Sequence, residues 1–294
     1  MRCDLHVHSW HSGMCFPPPF RGFCRESYSQ PEDVYRRLKR RGMDLVTLTD
    51  HDSIDGAEAL RRYPDFFASE EVTCRLPSGT TIHAGVYDVS ERQHIEIQRR
   101  RDDFPSLAAY LEEQRLFFSL HHFFSGLTGS RKIEDFGWCE SHFPALETRN
   151  GHVLPSANRH AALLAQRMGK ARVGGSDGHT LASLGATYTW VPGTRNKTEF
   201  LEGLRRGLGR PRGESGGYFK LTLDALRIAR EMMREQPLTA ILAPLMLLLP
   251  VATLVNYMRE FTLAQLWWQR WTREEPFRSF AKRRGRPEVR ELWA

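Results

Sequence analysis

The sequence predicts an α/β domain of alternating strands and helices, followed by a hydrophobic, membrane-associated helical tail. Three observations carry that reading. Short apolar runs alternate with helical patterns from residue 3 to about 207. Histidines and carboxylates recur at the ends of those runs. Finally, Pro237 to Met258 holds no charge across 22 residues.

Taken in order, CDLHVH reads as a strand. A helix follows over SQPEDVYRRLKRRG, with Ser29 and Glu32 as a capping box, Pro31 in the first turn and Gly42 at its end. MDLVTLT is a second strand that runs into DHD. FFASEEVT, TTIHAGVYDV, LFFSLHH, PALETR and ARVGGSD are further strands, with helical stretches over about 91–115, 156–168 and 196–206. This alternation argues for parallel strands with helices outside, as a barrel or an open sheet. LGRPRGESGG, 208–217, is a Gly- and Pro-rich linker between a domain over 1–207 and a helical tail over 218–294.

Composition narrows the field. The net charge is +7, but from Lys220 onward 13 Lys and Arg face 8 Asp and Glu, so +5 of it belongs to the tail. The excess therefore says little about a nucleic-acid groove in the domain. The polar start MRCDLHVHS has no apolar signal region, so a cytoplasmic domain is expected. Five cysteines without a Cys-x-x-Cys spacing fit reduced thiols. A Cys15–Cys24 bridge ranks below two free thiols.

The histidines fall where chemistry is done. His6 and His8 are two apart on a strand and share a face. TDHD closes the second strand with Asp50, His51 and Asp52. SEEVT offers Glu70 and Glu71, of which only one can face the site, and His83 lies within TTIHAGV. SLHH ends a strand with His121 and His122, ETRNGH another with Arg149 and Asn150, and GSDGHT the last with Asp177 and His179. In parallel α/β architectures such strand ends converge on one face. Imidazoles and carboxylates gathered there suit several borderline divalent metals. Alone, each motif is weak, because a single strand histidine is more often a hydrogen-bonded core residue. Their joint recurrence is what counts.

DLHVHS, TDHD, SLHH and GSDGHT resemble the four motifs of the PHP (polymerase and histidinol phosphatase) domain, in the family's order and over residues 1 to about 195. The resemblance implies a distorted (β/α)7 barrel whose two or three divalent ions (zinc, manganese or iron) serve phosphoester hydrolysis by a metal-activated water. By motif position it implies one ion on His6, His8, Glu71 and Asp177. A second shares Glu71 and adds His83 and His122, and a third takes His51 and His179. Two departures stand out. Gly13 and Met14 lie where relatives carry an acidic or histidine ligand, leaving either His11 as a substitute or a weak third site. Phe123 follows His122 where the family has proline, and His121 is extra.

Asp50 and Asp52 are expected to support the ligands, one orienting an imidazole and the other binding solvent. Arg149 and Asn150 are candidates to hold a substrate phosphate, a surface turn being the alternative. The implied substrate is a nucleotide, an oligonucleotide end or a sugar phosphate. The insert SGMCFPPPFRGFCRESY reads as a lid over it, against the alternative of a loop packed on itself. Two other functions compete. One is a catalytically weak metal-binding scaffold that recruits a partner at the membrane. The other is an amidohydrolase-type C–N hydrolase, ranked last because Lys39, Lys132 and Lys170 end no strand.

The uncharged run 237–258 is long enough to cross a ~30 Å hydrocarbon core, so contact with membrane lipid is expected. Two arrangements stand nearly level. A single span puts FRSFAKRRGRPEVR outside, against the positive-inside tendency. A segment kinked at Pro244 and Pro250 instead returns the basic tail. FTLAQLWWQRW, with Phe261, Leu263, Leu266, Trp267 and Trp271, would then lie among the headgroups.

Overall fold

The computed structural model describes residues 1–15 and 22–282, with side chains through Arg273. The centre of the expected lid (16–21) and the basic end (283–294) lie outside the described residues. After β1 (Arg2–Cys3), α1 (Pro31–Arg40) leads to β2 (Val46–Leu48) and the short α2 (Asp55–Glu58). α1 opens at Pro31 with Gln30 as its cap, so the expected Ser29–Glu32 box does not form. Glu32 instead accepts from Tyr63 and Arg62. Gly42, at φ +78°, takes the left-handed turn that stops the helix.

The hairpin β3 (Phe66–Arg75) and β4 (Thr81–Tyr87) precedes α3 (Glu91–Arg100) and α4 (Phe104–Glu113). Pro105 opens α4 and divides what the sequence presents as one helical stretch. Then come β5 (Phe117–Leu120), α5 (Ile133–His142), β6 (Ala145–Asn150), α6 (Pro155–Met168) and β7 (Ala171–Gly175). β8 (Thr187–Trp190), α7 (Lys197–Arg205) and β9 (Arg210–Gly213) complete the sheets, β9 falling inside the stretch expected as a linker. α8 (Tyr218–Glu235), a 3-10 helix over Pro237–Leu248 and α9 (Leu249–Lys282) end the described chain.

β2 to β7 form one six-stranded sheet in chain order. The pairs β2–β3, β5–β6 and β6–β7 are parallel, but β3–β4 and β4–β5 are antiparallel, correcting the expectation of parallel strands throughout. The reason is local: five residues join β3 to β4, too few for a crossover helix. The sheet curls until both edges meet the stretch after β1. Thr49 N donates to Val7 O at 2.8 Å, and Asp177 N to His6 O at 2.8 Å. Gly175 lets this happen, since a Cβ there would collide with the backbone of His6. β1, β8 and β9 make a separate antiparallel sheet.

The largest buried cluster joins the outer face of β3–β6 to α4, α5 and α6, and Ala264, Trp267 and Trp271 of α9 belong to it. Trp271 stacks on Phe136 at 6.0 Å, and Trp268 lies flat on His160 at 4.9 Å. The expectation that Trp267 and Trp271 sit among lipid headgroups is therefore corrected: this face of α9 covers the domain's own apolar wall. Phe261 and Leu266 stay exposed, as does the run before them, with Leu238 at 92%, Ile241 at 83% and Leu247 at 82%. Pro237–Arg273 is long and apolar enough to cross a membrane, and its most apolar window is 0% buried.

Candidate functional site

Strand parity puts Glu71 at the centre. Along β3, Glu71 points inward, while Glu70 turns to the helix side and accepts from Gln98 at 2.8 Å, with His94 at 2.9 Å. The two oxygens of Glu71 face different sets of imidazoles. Oε2 lies 3.0 Å from His6 Nε2, 3.3 Å from His8 Nε2 and 3.4 Å from His51 Nδ1. Oε1 lies 3.2 Å from His83 Nδ1, 2.9 Å from His121 Nδ1 and 3.1 Å from His122 Nε2. Asp177 Oδ1 approaches His6 Nε2 at 3.5 Å, His8 Nε2 at 3.3 Å and His179 Nδ1 at 3.6 Å. All eight side chains expected as metal ligands thus meet in one cluster.

The far nitrogens show what holds the rings. His6 Nδ1 meets Glu147 Oε1 at 2.9 Å, and Glu147 Oε2 accepts from His122 N and from Asn150 Nδ2. His8 Nδ1 meets the Ser12 hydroxyl at 2.8 Å, which donates to Asp50 Oδ1 at 2.8 Å. Asp50 therefore orients an imidazole through Ser12. His179 Nδ1 meets the Asp177 carbonyl at 2.9 Å. His121 is tied at both nitrogens, by Glu71 and by the Tyr87 hydroxyl at 3.1 Å. Among the described residues, His8 Nε2, His83 Nδ1 and His122 Nδ1 are buried without a hydrogen-bond partner. Several trios of ligand atoms, including His6–His8–Asp177 and His51–Glu71–His83, lie within 4.8 Å of one another. Orphaned imidazole nitrogens beside a shared buried carboxylate are a donor set that fits divalent metal.

Charge follows the same geometry. Burial pushes the Glu71 carboxyl upward, but His6, His51 and His83 outweigh it and hold it well below its ordinary value. Asp177 is depressed in the same way, burial being overcome by His6 and His8. Burial works against charge on His51, yet Glu71 and Glu26 lift it to about 10. His83 falls to about 4 and His179 to about 3, in each case chiefly by burial. Backbone strain gathers here too: Asp52, His122 and Asp177 have φ of +51°, +26° and +52°, a region that L-residues seldom occupy.

Two expected residues serve elsewhere. Arg149 points away from the cluster, its guanidinium donating to Gly213 O at 2.8 Å. Residues 147 and 150 face inward, but a register shift in β6 turns 149 toward β9. Asp52 accepts from Thr73 N at 2.8 Å and pairs with Arg101 at 2.6 Å, contacts that tie the loop down. Asn150 does reach the cluster, but its amide donates to Glu147 and Asp177, so it positions carboxylates. His11 lies edge-on to Trp10 at 5.4 Å. The acid beside His51 is Glu26, with Oε2 3.0 Å from His51 Nε2. Sequence reasoning missed both Glu26 and Glu147. An acid within the apolar strand PALETR was a usable signal for Glu147; nothing local marked Glu26. All five cysteines are free, and Cys15 N donates to Cys24 O at 2.8 Å across a short antiparallel bridge.

Residues 155–208 match the PHP-associated family. A solved two-domain protein from Bacteroides vulgatus, described as containing a predicted PHP-like metal-dependent phosphoesterase, superposes with a TM-score of 0.54 at 15% identity. It covers 73% of this chain and 65% of its own. PsfC from Pseudomonas syringae PB-5123 superposes with a TM-score of 0.56 at 19% identity, over 77% of this chain and 97% of its own. An uncharacterised protein of Methanocaldococcus jannaschii is 28% identical over 78 residues, so the match spans 24% of this chain and 41% of that relative. The matched segment is thus similar to the PHP-associated family, and the fold is shared with these two solved structures.

Proposed function

We propose that this protein is a metal-dependent phosphoester hydrolase whose ions sit around Glu71. The observation that carries the reading is the division of six imidazoles between the two oxygens of one buried carboxylate. Bound divalent ions supply Lewis acidity and a water of lowered pKa at such a site. In this reading His6, His8, Glu71 and Asp177 hold one ion, and Glu71, His83 and His122 a second. His51 and His179 serve a third, with Glu26 standing in for the acidic ligand absent at Gly13 and Met14. Glu147 and Asp50 fix the His6 and His8 rings, so that their Nε2 lone pairs need no reorganisation. The Bacteroides neighbour's description as a PHP-like phosphoesterase supports the reaction class.

The same reading has residues 237–258 lying against a membrane, with the domain on the cytoplasmic side. Exposed leucines in an uncharged run support contact with lipid. The packing of Trp267 and Trp271 on the domain supports the returning arrangement over a single span.

The test is metal analysis of the full-length protein, then assay with manganese or zinc on an aryl phosphate, an aryl phosphodiester and nucleoside monophosphates. Turnover is expected, and Glu71→Gln, His8→Ala and Asp177→Ala should each lose both metal and activity while remaining folded. Stoichiometric metal without turnover would favour the scaffold reading. Full activity in any of the three variants would overturn the ligand set.

A further inference from the structure

The exposed apolar run is built onto the rim of the metal-ligand cluster. α8 crosses the loops that carry ligands. Asp224 accepts from Thr180 at 2.8 Å and meets His152 Nε2 at 3.0 Å, one residue after Asp177–His179 and two after Asn150 respectively. At the far end of α8, Glu235 pairs with Arg25, the neighbour of Glu26, at 3.4 Å. The 3-10 helix then doubles back along α8, so that the Tyr218 hydroxyl reaches Pro250 O at 3.2 Å and Thr222 meets Thr253 at 2.9 Å. α9 next passes over the loop after His122, where Glu260 accepts from Ser125 and Gly126 at 2.8 Å. The contacts of Asp224, Glu235 and Glu260 on this path are all with loops at the ligand-bearing end of the strands. His51, His83 and His179 are the partly open side of the cluster, with side chains 19%, 15% and 22% exposed.

We propose that this apolar rim seats the mouth of the cluster against a bilayer, and that the substrate is an amphiphilic phosphoester held in that bilayer. The inference rests on the hydrolase and membrane readings above and goes beyond them in naming the substrate class. The occupant of the rim is lipid because the run holds no charge over 22 residues. Exposed Arg230 and Arg259 flank it and can meet lipid headgroups, while Arg234 pairs with Glu231 at 2.7 Å. An ester headgroup in the interface reaches His51, His83 and His179 without its acyl chains leaving the membrane. In the reaction, water oxygen bonds to phosphorus, the P–O bond to the lipid alcohol breaks, and the proton goes to the departing alkoxide.

The experiment uses full-length, metal-loaded protein with phosphatidylcholine vesicles carrying phosphatidylglycerol and phosphatidic acid. Short-chain, water-soluble forms of the same two headgroups serve as comparators. The wild type should float with the vesicles and hydrolyse one vesicle headgroup at least about tenfold more efficiently than its soluble form. The triple variant Leu238→Glu, Ile241→Glu, Leu247→Glu should lose flotation and that advantage while keeping its rate on the aryl phosphate. Flotation with aryl phosphate turnover but no preference for vesicle headgroups would overturn this inference and leave the hydrolase reading intact. Absence of flotation would overturn it through the membrane reading. Metal binding without turnover of any ester would overturn it together with the hydrolase reading.

Discussion

Glu71 is useful because it is both buried and outnumbered. A lone carboxylate at such a position would be driven neutral by desolvation, but the imidazoles around it, His6, His51 and His83 foremost, hold the charge in place. Its neighbours divide into those that face an ion and those that set the facing. Glu147 belongs to the second kind, since its two oxygens grip His6 Nδ1, His122 N and Asn150 Nδ2. Glu147→Gln should therefore cost about 10- to 100-fold in metal affinity or activity, read by competition with a chelator. Retention of wild-type affinity would show that packing alone orients His6. Glu26 separates the two accounts of the third site. Glu26→Ala should lower metal stoichiometry and His11→Ala should not, which metal analysis of the two purified variants decides.

At the scale of elements, α9 is bound to the domain through aromatic stacking on a titratable ring. Burial lowers the His160 pKa below its ordinary 6.5, because a charged imidazole there loses hydration and stays against Trp268. A depressed pKa means that the undocked state binds more protons, so the docked state is fully favoured above pH 6.5 and loses ground as pH falls below it. Tryptophan emission should shift to the red through that window, and His160→Leu should abolish the step. An unchanged step in that variant would assign it to another group. Trp271→Ala should cost about 3 to 5 kcal/mol, as for other large buried aromatics, measured by denaturant unfolding.

For the whole molecule, the tail closes over the domain that precedes it. α8 reaches the ligand loops through Asp224, and α9 covers Phe124 and Phe136. A chain cut after Gly217 would expose that apolar wall, which makes full-length protein the right material for any assay. The return of α9 also fixes an expectation for topology. Ser279→Cys should gain no label over the parent protein when intact cells meet an impermeant thiol reagent, and should gain it after lysis. Label in intact cells would restore the single span.

By itself the sequence located the six strands of the main sheet and the histidines at their ends, because side-chain alternation along a strand is local. It missed β8 and β9, and took CDLHVH as a strand where only Arg2–Cys3 forms one. Parity alone puts His6 with His8 on one face and lets only one of Glu70 and Glu71 face inward; the motif resemblance pointed to Glu71. The uncharged run was equally legible, since length and composition need no partners. Only the tertiary structure decided that Glu147 meets His6 across 141 residues, that Glu26 stands beside His51, and that Arg149 faces away through a register shift. It also decided that Trp267 and Trp271 pack on protein. Both environments reward burying an indole equally well, so periodicity cannot tell a lipid surface from an apolar wall that another part of the chain leaves bare.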